Sequence, residues 1–513
     1  ADFGNRIPEL NFEVVRPVQG LAQMIRAVNL IPGASEFVYS QASVHGVFDS
    51  GISSRQNRHQ FAASSDWAAS IDALQALCPN LKSVALVTSW FGDDLRAGSC
   101  TIAPRVESAS TSFSGGVWSV AGLSRSTARV VSQINASPAT GGTPSDDTII
   151  AAINDLSARG LKVTLYPFIL MDIAAGNSLP DPWSGATNQA AYPWRGRITC
   201  SPAPGQAGSP DATAAAASQI TAFFGSATPP ASEWSFRRLI LHYANLAAQT
   251  GKVEALLIGS EMVALTRVRS SSGVYPAVAA LKTISQDVRD VVGASVKIGY
   301  AADWSEYGAH VLTGGSEIRF PLDPLWATST IDFIGVDAYW PLTDWRDGTS
   351  HLDAALAPAI FDRDYLVSRF AAGESYDFYY ATAADRASQL RSPITDGAYN
   401  KPWIYRAKDI TNWWQNPHFE RVGGLELGTP TAWVPRSKPI WLTEFGCPAI
   451  DRGANQPNVF VEAKSSESAA PFFSRGTRDD LIQTRVLEAA ISRFDPSQAG
   501  FQAEWNPVSP LYS

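Results

Sequence analysis

The sequence predicts an α/β fold, a (β/α)8 TIM barrel with large loop insertions, on three observations. Short apolar runs alternate with amphipathic helical patterns along most of the chain. Helix, glycine and strand recur as a unit, as in Ile149–Leu156, Gly160 and Leu161–Phe168. No glycine-rich phosphate loop accompanies them, which favours a barrel over a doubly wound sheet. Seven strands are expected, near residues 84, 117, 161, 254, 296, 332 and 439.

Residues 1–60 read as a small N-terminal attachment segment. Asn11–Val15 alternates like a strand, Leu21–Val28 reads as a short helix, and Phe37–Tyr39 as an extended piece. The barrel occupies 61–513. Ser64, Ser65 and Asp66 are N-cap candidates for a helix with Trp67, Ile71, Leu74 and Cys78 on one face. Ser83–Trp90 follows as a buried strand, and Val117–Val120 as the next. Later units run from a Ser232-capped helix through Gly251 to Val253–Ser260, and from Val278–Val292 through Gly293 to Val296–Trp304. Ile331–Trp340 and Pro439–Thr443 complete the seven, and Asp479–Phe494 is a closing helix. Phe501–Trp505 is a weak eighth strand, so the last strand is expected beyond Ser513 or replaced by the N-terminal segment. Residues 81–513 exceed the ~250 typical of the fold. The excess sits at about 170–231 and 341–437, both after strand ends. The second insertion is rich in Trp and Tyr, which suits either a packed subdomain or a wall for sugar rings.

Composition excludes several function classes. Charged residues make up 17% and hydrophobic ones 45%, which suits a large core rather than disorder. The net charge is −8 and no Lys/Arg block exists, so direct nucleic-acid binding is not expected. No run of about 18 apolar residues exists, so membrane insertion is not expected. The four cysteines and six histidines show no metal-ligand spacing, so neither a metal nor a cofactor is implied. Pairing among the cysteines stays open. The chain starts with Ala rather than Met, as expected of a piece of a longer polypeptide.

Two strands each deliver a glutamate at the carboxyl end: Glu261 after Ala255–Ile258, and Glu444 after Pro439–Thr443. Carboxyl ends of barrel strands build the active face, and paired carboxylates there suit glycoside hydrolysis. One carboxyl protonates the leaving oxygen; the other attacks the anomeric carbon or activates water. Trp90, Asp93, Asp303, Trp304, Asp337, Tyr339 and Trp340 also fall at strand exits and are candidates for substrate binding. For Asp93, Asp303 and Asp337 a loop-capping role is the competing reading, and for most tryptophans it is core packing.

Counted in order, Glu261 lies on strand 4 and Glu444 on strand 7. This placement resembles the retaining (β/α)8 glycoside hydrolases, whose strand-4 glutamate is the acid/base and strand-7 glutamate the nucleophile. The resemblance assigns those roles to Glu261 and Glu444, and to Tyr339 the task of orienting Glu444. Ser260 stands where that superfamily carries the Asn that contacts a sugar 2-OH.

Longer runs carry a closer resemblance. They are Gly4–Leu10, Ser65-Asp-Trp-Ala-Ala69, Ser89-Trp-Phe-Gly-Asp-Asp-Leu-Arg96, Tyr300-Ala-Ala-Asp-Trp-Ser-Glu-Tyr307, Gly335-Val-Asp-Ala-Tyr-Trp340 and Trp441-Leu-Thr-Glu-Phe-Gly-Cys-Pro448. Together they resemble the glycoside-hydrolase-like TIM-barrel region of the large tail-tip (baseplate hub, or megatron) protein of gene transfer agents and related siphophages. The resemblance implies a virion tail location, a longer chain, other tail and baseplate proteins as partners, and a threefold hub. It implies a barrel that cleaves or binds host cell-envelope glycan, or that only spaces other domains.

Overall fold

Among the described residues, seven parallel strands run through one sheet in the order β1 (Ala27–Leu30), β2 (Ser83–Gly92), β3 (Lys162–Met171), β4 (Val253–Ser260), β5 (Lys297–Asp303), β6 (Phe333–Ala338) and β7 (Ile440–Phe445), and the short run Ile102–Ala103 pairs antiparallel with the end of β2. The computed structural model describes residues 20–33, 36–47, 53–312 and 314–498. The expected strands at Asn11–Val15 and Phe501–Trp505 lie outside those residues. The sheet curls until its two ends almost meet. Asn29 on β1 donates its side-chain N–H to the Thr443 carbonyl on β7 at 3.0 Å.

The barrel interior is filled from nearly every strand. Val87, Tyr166, Ala255, Leu257, Ala301 and Phe333 pack together, with Trp441 against them. Phe333 and Trp441 stack with ring centroids 3.9 Å apart. Gly299 makes that possible, because a Cβ there would sit 2.3 Å from the Phe333 ring. Burial of each large apolar side chain is worth about 1.5–3 kcal/mol, so this plug and the strand–helix layer outside it hold the barrel.

The helices follow the predicted units. α1 (Asp66–Leu77) is capped by Ser65, whose hydroxyl accepts the Ala68 N–H, and buries Trp67 and Ile71. α2 (Asp146–Ala158) buries Ile149, Ile153 and Leu156. α3 (Ala214–Phe224) belongs to the first insertion. α4 (Phe236–Thr250) starts after Ser235 rather than Ser232 and ends at left-handed Gly251. α5 (Pro276–Val292) begins with Pro at its first turn, where a missing N–H is harmless. α6 (Asp480–Phe494) is capped by Asp479 and closes the described chain.

Two strand expectations are corrected, and their errors cancel. Val117–Val120 is not a barrel strand. Ser119–Val120 turns back on Leu123–Ser124 as a small hairpin, with Ala121 and Gly122 at positive φ. The first barrel strand is instead Ala27–Leu30, where a helix over Leu21–Val28 was expected; that helix stops at Met24. Backbone pairing with β2, from Ala27 opposite Ser83 to Leu30 opposite Leu86, decides the conformation of so short a run. Glu261 therefore still follows the fourth strand and Glu444 still ends the seventh. Phe37–Tyr39 forms a turn rather than an extended piece, and the Tyr39 hydroxyl donates to the Val87 carbonyl at 2.7 Å.

Most aromatic residues of the second insertion pack. Trp340, Trp403, Trp413, Trp414 and Trp433 are buried, and Tyr379 is exposed. All four cysteines are free thiols. Among the described residues, no helix is long and apolar enough to cross a membrane.

Candidate active site

Both glutamates stand where the sheet register slips. On β4, Leu257 faces Gly299 but Ser260 faces Ala301, so β4 gains a residue just before Glu261. On β7, Leu442 faces Val336 and Glu444 faces Asp337, so Thr443 is the extra residue. Such bulges re-aim the side chains that follow them. Glu261 also adopts a left-handed backbone, φ 51°, costly for a residue with a Cβ. Its N–H bond to the Ala301 carbonyl at 2.8 Å holds it there.

A segment of the first insertion reaches over the pair. Trp194 donates its indole N–H to Glu261 Oε2 at 2.8 Å. Arg195 Nη2 lies 2.8 Å from the same oxygen and 4.0 Å from Glu444 Oε1. Those two carboxylate oxygens are therefore at most about 6.8 Å apart, within reach of one glycosidic bond. Arg195 is held firmly. It donates to the Ser260 hydroxyl at 2.7 Å and carbonyl at 3.1 Å, and its guanidinium lies 4.3 Å from the Phe168 ring centroid. Gly196 lets Trp194 fold back, since a Cβ there would meet the Trp194 ring at 2.5 Å.

Glu444 has different neighbours. The Tyr339 hydroxyl donates to its Oε2 at 2.6 Å. Its Oε1 is buried without a hydrogen-bond partner among the described residues. Burial pushes the Glu444 carboxyl up, the Glu261 charge adds to this, and Arg195 and Tyr339 oppose it.

Asp337 lies fully buried beneath both. It accepts from Thr443 Oγ1 at 2.7 Å, from the Tyr166 hydroxyl at 3.0 Å and from Ser260 Oγ at 3.2 Å. Burial, then the Glu444 and Glu261 charges, raise it well above the usual carboxylate range. It braces the two strand ends and has no exposed surface for a ligand.

The other predicted residues divide. Asp303 caps the following turn, accepting from Ser305 N–H at 2.8 Å, and burial followed by the Glu261 charge pushes its carboxyl up to about 6. Asp93 caps a loop through Thr101 and pairs with Arg129 at 2.9 Å. Trp90 is fully buried, packed against Trp234, His242 and Tyr243, and Trp340 is buried against Phe370; neither offers a face to a ligand. Their strands are covered by helix or insertion on the side these rings occupy, which strand position alone does not reveal. Trp304 is half-buried and lines a separate groove beside the site. Trp194, Arg195, Tyr166 and Phe168 were not anticipated. Tyr192-Pro-Trp-Arg-Gly-Arg197 is a dense aromatic and basic run, but nothing in its spacing points to Glu261.

Among the described residues no cluster of His, Cys, Asp or Glu is arranged to hold a metal ion.

A family model described as the GTA TIM-barrel-like domain matches residues 234–513. The chain belongs to this GTA TIM-barrel-like family. The match runs from the start of α4 and takes in Glu261, Asp337, Tyr339 and Glu444, while Trp194 and Arg195 precede it. No curated protein matches the chain. Solved structures of GH113 beta-1,4-mannanase are similar at 13% identity over 82% of this chain and 76% of that chain, with TM-score 0.34, and at 14% over 80% and 72%, also 0.34. GH113 beta-mannanase AaManA from Alicyclobacillus acidocaldarius, in complex with ManMIm, is similar at 17% over 82% and 75%, with TM-score 0.36.

Proposed function

We propose that this GTA TIM-barrel-like chain is a component of a phage-like tail tip, and that its glycoside-hydrolase-like barrel binds host cell-envelope glycan without cleaving it. One observation carries the second half: the Arg195 guanidinium pairs with Glu261 Oε2 at 2.8 Å, and Trp194 donates its indole N–H to the same oxygen. An indole N–H can only donate and a guanidinium is always charged, so Glu261 Oε2 serves as an acceptor beside a fixed positive charge. A general acid has to present a proton toward the glycosidic oxygen, and here that carboxylate is engaged by a cation instead. Ser260 supports the same reading, since its hydroxyl is spent on Arg195 and Asp337 rather than directed to a sugar.

In this reading the barrel sits in the virion tail as part of a baseplate hub, among other tail and baseplate proteins and in three copies. It meets polysaccharide or peptidoglycan during attachment and DNA delivery. The protein is expected to sediment with purified envelope glycan, and an antibody to it to label the tail end of particles. A protein that remains in the supernatant with sacculi and with extracted polysaccharide alike would remove the glycan part. Labelling confined to the capsid would remove the tail part.

A second reading has its own support. Glu444 keeps a Tyr donor at 2.6 Å, and the two carboxylates are close enough to flank one bond. Movement of Trp194 and Arg195 away from Glu261 would leave a two-carboxylate site of the retaining type.

A further inference from the structure

We infer that the groove between the loop after β5 and the second insertion is a binding site for one neutral pyranose ring, separate from the glutamate pair. This inference rests on the glycan-binding reading above and names where the sugar docks. The groove has a volume of about 170 Å³ and is lined by Trp304, Tyr307, Trp403, Tyr405 and Trp413, together with Gly308. Trp304 ties the groove to the strand ends that carry the carboxylates, because its backbone N–H donates to the Asp337 carbonyl at 3.1 Å.

Three features select the ligand. Trp304 and Tyr405 are only half-buried, which leaves aromatic surface for the C–H face of a sugar. Trp413 is 2% exposed, and its indole N–H has no hydrogen-bond partner among the described residues. Buried donors are rarely left so, and a ligand hydroxyl would satisfy this one. A Cβ on Gly308 would meet only Trp413 Cδ1, at 3.9 Å, so there is open space at Gly308 beside that indole edge. The charge of the groove is already matched. Its one ionic side chain, Arg406, pairs with Asp409 at 3.3 Å, and the Tyr307 hydroxyl is committed to the Ala407 carbonyl at 2.9 Å. An apolar ring face, a free N–H and no unmatched charge fit a neutral hexopyranose, not an acidic sugar.

The test titrates the full chain with cellotetraose, mannotetraose, chitotetraose and, as the acidic counterpart, tetragalacturonate, by calorimetry. At least one neutral tetrasaccharide should bind. Trp304→Ala should weaken it roughly tenfold, and Trp413→Phe, which keeps the packing, roughly threefold. Gly308→Val should block the groove, with an unchanged circular dichroism spectrum to show that the fold survives. Binding that all three variants leave intact would overturn the groove while leaving glycan binding elsewhere on the barrel standing. Tighter binding of tetragalacturonate than of every neutral tetrasaccharide, or no neutral binding by a protein that still sediments with envelope glycan, would also overturn it.

Discussion

Arg195 and Glu261 lie 2.8 Å apart, buried together, although one comes from a loop insertion and the other from the end of a barrel strand. A pair so enclosed fixes the loop on the strand. Removing one member leaves the other charge without a partner, typically at a cost of about 3–5 kcal/mol. Arg195→Met should therefore destabilise the fold by roughly that amount, and Arg195→Met combined with Glu261→Gln by less than the sum of the two single changes. Denaturant unfolding of the four proteins measures the coupling. Additive losses would mean that the pair does not hold the loop.

Tyr339 and Glu444 give a titration test. The Tyr339 hydroxyl favours the ionised form of Glu444, against burial and the Glu261 charge. Tyr339→Phe removes that donor, so the Glu444 carboxyl should titrate at higher pH than in the parent. Carboxyl-carbon chemical shifts followed through pH report it, and a downward movement would contradict the assignment.

Glu306 should make stability depend on pH. It is buried, accepts from Thr266 and Tyr300, and burial pushes it from 4.5 to about 7. The folded state then binds the proton more tightly than the unfolded chain. Its contribution is fully present below about pH 4.5 and is lost as pH rises toward 7. Glu306→Gln should flatten the fall in stability across that window. An unaltered slope would show that Glu306 is not a source of it.

Lys408 ties the second insertion together. Its ammonium donates to the carbonyls of Pro341, Arg369 and Ala372 at 2.7, 2.9 and 2.6 Å. Lys408→Met keeps the stem and strands three buried acceptors. Each stranded group costs about 1–3 kcal/mol, so a loss of at least about 3 kcal/mol is expected by chemical denaturation. A change below about 1 kcal/mol would mean that water replaces the ammonium.

Strand periodicity and glycine punctuation made most of the barrel legible, because they report local burial. Ala27–Leu30 was illegible for the opposite reason: four residues carry no period, and only pairing with Ser83–Leu86 makes them a strand. Glu261 and Glu444 could be found because each follows an apolar run. The bulges that aim them could not, since the extra residue Thr443 looks like any other strand residue. Arg195 is 66 positions from Glu261 along the chain, and a contact of that separation leaves no trace in one sequence.

Reducing-end release from host envelope glycan tests the central claim most directly, with parent protein and Glu444→Gln compared at equal binding. A barrel whose Glu261 is held by Arg195 should release sugar no faster than the Glu444→Gln protein while both sediment with the glycan. Turnover by the parent that Glu444→Gln abolishes with the fold intact would contradict it, and would make the barrel a hydrolase.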